Sequence, residues 1–136
     1  MTIGLNPDLR DSRLQVILDS IDYGADEYGA GKLQIYSGTR PATGGSIGSC
    51  VLLAEYDFSN PCGTITSGVL TFTDLGAATG LAVGNASWAR IIDNDDNFVM
   101  DLSVGISGTD VIMDSTVIEI GSVITCTLET ITEGNA

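Results

Sequence analysis

Hydrophobic positions along the chain follow two periods, and the change between them falls near residue 31. From Asn6 to Tyr23, Leu14, Ile17, Leu18 and Ile21 keep the i, i+3, i+4, i+7 spacing that lines up one stripe of a helix. Arg10, Arg13, Gln15 and Asp19 fall largely off that stripe. Asn6 suits an N-cap, Pro7 suits the first helical position, where its missing N–H costs nothing, and Gly24 is a stop. The pattern predicts one amphipathic helix over 6–23, its stripe laid on a sheet of the same chain.

After Gly31 the period becomes two. Leu33 and Ile35 share one face of a strand over 32–37, with Gln34 and Tyr36 on the other. A loop of Gly, Ser, Thr and Pro over 38–49 leads to an apolar strand over 50–58, closed by Asn60-Pro61. Residues 64–73 read as a strand or hairpin, with Leu70 and Phe72 opposite Val69, Thr71 and Thr73. Residues 76–84 are small and read as flexible. Strands over 86–93 and 97–104 flank the turn formers Asp93-Asn94-Asp95-Asp96-Asn97. Short strands over 110–113 and 117–120 precede a long one over 122–132, where Ile124, Cys126 and Leu128 oppose Val123, Thr125 and Thr127. From Glu133 the chain is expected to fray.

This is about eight short strands with regularly spaced turn signals and no βαβ rhythm. It predicts a mainly β, antiparallel sandwich or barrel carrying one N-terminal α-helix, without parallel pairing. The length of 136 residues fits a single β-rich domain, its arm and helix taking about residues 1–24.

Charge narrows the function. Eighteen acids face five bases, for a formal charge of −13. Phosphate contact needs basic patches, so nucleic acid and anionic membrane surfaces are both disfavoured partners. Charged residues make up only 17% of the chain and 43% are apolar before glycine is counted, so some apolar surface is expected to be covered by partners. The start has neither a basic nor an apolar leader region, so no signal peptide is read there, and Asn85-Ala86-Ser87 is taken as a chance sequon.

Catalytic chemistry is thin. The absence of histidine removes the usual triads, histidine ligands and the commonest general base. Cys50, Cys62 and Cys126 are far apart and are expected to stay reduced. Asp26 to Leu33 resembles a phosphate loop but has Asp26 for the first glycine and Leu33 for the final Ser or Thr. The turn at 93–97 has oxygen ligands at alternate positions, which suits calcium, but lacks the EF-hand glycine and glutamate. Asp19, Asp22, Asp26 and Glu27 cluster at the helix end, a placement the helix dipole disfavours. Trp88 reads as a core anchor between sheet and helix, with a sugar-stacking platform as the alternative, and Asp101 is a possible partner for Arg90. The sequence therefore nominates no catalytic, cofactor-binding or metal-ligating residue, and a non-enzymatic protein is expected.

Several ordered stretches carry a resemblance. They are Lys32-Leu-Gln-Ile-Tyr-Ser-Gly-Thr-Arg-Pro41, Leu52-Leu-Ala-Glu-Tyr56, Gly68-Val-Leu-Thr-Phe72, Ala86-Ser-Trp-Ala-Arg-Ile-Ile-Asp93 and Ile106-Ser-Gly-Thr-Asp-Val-Ile-Met113. Together they resemble a group of small virion-associated proteins of tailed bacteriophages and prophages. Members commonly carry Asp-Ser-Asp-Gly where this chain has Asp93-Asn-Asp-Asp96, so a longer or looser hairpin is expected here. The resemblance implies a virion structural protein assembled in the bacterial cytoplasm. Its expected station is the outer head surface, as a decoration or cement protein bridging major capsid protein subunits, with a homotrimer as the expected form. Alternatives are a tail or head–tail connector component and a carbohydrate-binding β-sandwich. The expected contact elements are Ile3 and Leu5 of the arm and the 38–49 loop.

Overall fold

The computed structural model describes residues 4–24 and 30–133. Helix α1 (Pro7–Asp22) is followed, among these residues, by twelve strands. They are β1 (Lys32–Tyr36), β2 (Leu52–Asp57), β3 (Gly63–Thr66), β4 (Val69–Phe72), β5 (Ala77–Thr79), β6 (Gly84–Asn85), β7 (Trp88–Ile92), β8 (Phe98–Gly105), β9 (Val111–Met113), β10 (Val117–Ile118), β11 (Val123–Leu128) and β12 (Ile131–Thr132). The protein is thus mainly β with one N-terminal helix.

Seven strands form the main sheet, in the order β2-β1-β7-β8-β9-β11-β5. The sheet curls until its two edges nearly meet. Leu81, just past β5, donates its N–H to Leu53 O in β2 at 2.9 Å. Alternation decides what the curl encloses. Leu33 and Ile35 of β1, Ala54 and Tyr56 of β2, Ala89 and Ile91 of β7, Val111 and Met113 of β9, and Ile124 of β11 all point inward and pack into one core. Tyr56 adds a polar tie across it: its hydroxyl donates to Ile124 O at 2.8 Å, joining edge strand β2 to β11. Burial pushes the phenol's pKa up, with a further push from Cys126, so the hydroxyl keeps its proton.

A second sheet, β12-β4-β3, lies under the helix. The Asn6 side chain accepts from Asp8 N at 2.8 Å and Pro7 opens the first turn, as the residue types predict. Leu14, Leu18 and Ile21 are buried against this sheet and the main core. Between β3 and β4 the two-residue turn Ser67-Gly68 has positive φ at both positions (51° and 78°), the geometry whose twist suits a tight hairpin. The turn is held from three sides. Gly68 N donates to Asp11 Oδ1 at 2.6 Å, Gly68 O accepts from Glu133 N at 2.9 Å, and a Cβ at 68 would collide with the Arg10 guanidinium.

Several expectations change. Residues 76–84 are not simply flexible, since β5 pairs with β11 and β6 begins at Gly84. The long final strand breaks at Glu129-Thr130, so β11 joins the barrel and β12 the small sheet. Strands β8 and β9 pair in parallel through Val104 and Val111. The short link between them folds back because the Asp110 carboxylate accepts from both Ser103 N and Ser103 Oγ, each at 2.9 Å. Glu133 does not fray: its carboxylate lies 2.7 Å from Arg13 and its carbonyl accepts from Arg10 Nε.

Tyr56→Phe should lower unfolding stability by about 1–2 kcal/mol, because it leaves Ile124 O buried without its donor. Urea titration checks this, with an unchanged far-ultraviolet circular dichroism spectrum showing that the fold persists.

Candidate functional site

The outer face of the main sheet carries the densest set of polar and aromatic side chains. Period two puts Trp88 and Arg90 of β7 on the face away from the core, beside Tyr36 and Gln34 of β1 and Asp101 of β8. Trp88 is nonetheless only 1% exposed. Its ring stacks on Tyr36 with centroids 4.6 Å apart, and its Nε1 donates to Ser37 O at 3.2 Å. The expectation that Trp88 anchors the sheet against the helix is therefore corrected. It is buried on the opposite side, under the 38–51 segment, and it offers no ring face on which a sugar could stack.

Arg90 occupies the centre of this face. Its Nε donates to Asp101 Oδ1 at 2.7 Å and its Nη2 to Asp101 Oδ2 at 3.1 Å, a two-pronged pair. Nη2 also donates to Gly45 O at 2.9 Å. The guanidinium lies between two rings, 5.3 Å from the Trp88 centroid and 5.1 Å from that of Phe98. Gly44 N donates to Asp101 Oδ2 at 2.9 Å, and a Cβ at Gly44 would press on the Phe98 ring at 3.2 Å. The loop over 38–49, expected as a partner contact, thus spends its inner side closing over the ion pair. Burial pushes the Asp101 carboxyl up, but Arg90 and the Gly44 N–H outweigh that and hold it below the usual carboxylate value.

Next to this cluster the groups form a chain. The Tyr36 hydroxyl donates to Gln34 Oε1, Gln34 Nε2 donates to Glu55 Oε2, each at 2.9 Å, and Lys32 Nζ lies 3.4 Å from Glu55. They line a cleft of about 420 Å³ with Ile92, Asp96 and Phe98. Tyr36, Gln34, Glu55 and Lys32 are thus engaged with one another, and no buried side-chain polar atom among the described residues lacks a partner.

In the acidic turn Asp93 is buried, and its Oδ1 accepts from Asp95 N and Asn97 N at 2.9 Å. Its carboxylate also accepts from Asn97 Nδ2. Asp96 takes φ 65° itself, so the turn closes where a looser one was expected. At the helix end Asp19 accepts from Gln15 Nε2 and Asp22 accepts from Cys62 N at 3.1 Å. Asp26 and Glu27 lie outside the described residues, as do Ile3 and the first half of the phosphate-loop-like segment. Among the described residues no group of three or more Cys, Asp or Glu side chains is placed to hold a metal ion.

The cysteines are unpaired. Burial and Asp22 push Cys62 up to about 12, and burial pushes Cys126 up to about 11, so neither supplies a thiolate near neutral pH. No helix among the described residues is long and apolar enough to cross a membrane.

Apolar side chains also stand open to solvent. A groove of about 540 Å³ runs between α1 and the β7–β8 hairpin, lined by Val16, Asp19, Ser20, Tyr23, Asp93, Phe98 and Val99. Val16 is 66% exposed and Tyr23 63%. The sequence reading did not find this groove, because Val16 and Tyr23 lie off the helical stripe and only the fold brings Phe98 beside them.

Asp101→Asn should cost about 3 kcal/mol at pH 6, because it leaves Arg90 buried without its counter-charge. The folded Asp101 carboxyl lies below its unfolded value near 4. Its contribution is therefore present above that value and lost as pH falls through the folded one. The stability gap between wild type and Asp101→Asn should narrow below about pH 4. Denaturant titrations of both chains across pH 2–7 measure it, and a gap independent of pH contradicts the assignment.

Comparison of the chain with protein-family models, with curated proteins and with solved structures finds no match.

Proposed function

We propose that this protein is a non-enzymatic structural component of a virion, acting as a decoration or cement protein on the outer head surface of a tailed phage. In this reading it bridges major capsid protein subunits as a homotrimer. The observation that carries the structural part is an imbalance. The interior and the outer-face cluster satisfy their own polar groups, while large apolar side chains such as Val16, Tyr23, Val83, Ile120 and Val123 stand in solvent. Exposed apolar side chains on a satisfied framework support adhesion.

Charge supports the station. Arg10, Arg13, Lys32 and Arg90 are each engaged with a carboxylate or carbonyl of the chain, so they form no free basic patch. A net charge of −13 is repelled by packaged DNA and tolerated on the outside of a shell. The phage assignment itself rests on the ordered sequence resemblance.

Bridging acts through shared buried area. At about 25 cal/mol per Å² of apolar surface, even a modest patch is worth several kcal/mol before association costs, and many sites act together. The purified chain, mixed with undecorated tailed-phage heads, should co-sediment with them and raise the temperature at which they release DNA. Its detection on tails or connectors alone, or turnover of a substrate by the purified chain, overturns the reading.

A further inference from the structure

Acidic residues are unevenly spread along the chain. Residues 75–92 contain none, and residues 115–128 contain only Glu119, although the whole chain has eighteen. The fold brings these two stretches together. Strand β5 pairs with β11 through Thr79 and Val123, and β6 pairs with β10 through Gly84 and Ile118. Gly80 locks the junction, donating to Ser122 O at 2.8 Å and accepting from Gly121 N at 2.9 Å.

The outer side of this junction is apolar. Ile118 is buried, so its neighbour Val117 points outward, and the register places Val83 on the same outer side, across from Glu119. Ile120 sits in the turn beside them, and Leu81 and Val123 flank it. Val83 and Ile120 are each 71% exposed and Val123 78%. The exposed area is on the order of 500 Å², the size at which the largest apolar patch on a monomer is often functional. Doubled across a pair of copies it reaches about 1,000 Å², the lower bound for a specific contact.

We propose that the β6–β10 ribbon, with the turn at 119–122, is the surface through which one copy of this chain joins another. The inference rests on the reading of the protein as an adhesive structural component and names the partner of one of its surfaces. Charge selects the partner. Copies carrying −13 repel one another. Here each copy presents Glu119 at the turn and Asp114 beside Val117 and Val123, two of its eighteen acids. Like-charge repulsion is therefore low where apolar side chains stand most exposed. A basic partner would instead be drawn to surfaces richer in exposed carboxylates.

The test is the mass of the full chain by light scattering after size exclusion, at about 100 µM, in low salt and in about 0.5 M NaCl. The mass should be two or more times that of one chain. Association should tighten with salt, because salt screens the repulsion and leaves the apolar contact in place. Val83→Glu with Ile120→Glu should return the single-chain mass, while Val16→Glu on the helix should not change it. Should the double variant fail to fold, Val117→Thr with Val123→Thr keeps β-branched residues and should weaken association at least tenfold. A single-chain mass for the unmodified protein at both salts overturns the inference, as does an unchanged mass in a folded double variant. Single copies that still join heads sink this inference and the homotrimer, and leave the head-decoration reading standing. Assembled copies that ignore heads sink the virion reading alone.

Discussion

Trp88 to Ile92 are buried without interruption, and a strand buried on both faces needs two separate covers. The inner cover is the barrel core, where Ala89 and Ile91 meet Leu33 and Ile35. The outer cover is the 38–51 segment, held by the Arg90–Asp101 pair, which binds the loop through Gly44 and Gly45. A charge pair in such a place is strongly unfavourable unless every hydrogen bond is made. The bidentate geometry, the Gly45 carbonyl and the two flanking rings meet that condition. The loop is long and rich in glycine, yet its inner side has one docking arrangement, and the central strand depends on it.

How much of this could be read beforehand follows from what period two encodes. Alternation says which residues share a face, and in β1, β4 and β11 those assignments agree with the structure. It does not say which face looks inward when both are apolar. Trp88 beside Ile92 looked like a core row, whereas Ala89 and Ile91, one residue out of step, are the ones enclosed. The helix was legible down to its cap because capping chemistry is local. The β8–β9 parallel pair was not, since it depends on Asp110 reaching back to Ser103, a contact with no periodic signature. Strands β5 and β6 were hidden for another reason. Ala77, Ala78, Gly80, Ala82 and Gly84 have little β preference, and pairing with β11 and β10 imposes their conformation. The candidate surfaces were harder still, because they join residues distant in sequence.

Acid excess and apolar exposure are linked in this protein. Four of its five bases are engaged within the chain, so nearly all the surplus negative charge faces outward. A net charge of −13 opposes indiscriminate clumping of copies. It leaves only a few places where close approach is tolerated. In the proposed adhesive role, specificity would come from where carboxylates are missing as much as from where valines and isoleucines are present.

The grip on Gly68 has a mechanical consequence. The first turns of α1, through Arg10 and Asp11, and the end of β12, through Glu133, converge on one hairpin tip. A tensile load applied to the two ends of the chain would be carried across this knot over a few ångströms, bypassing the barrel. The seven-stranded sheet would begin to peel only after those clasps had parted.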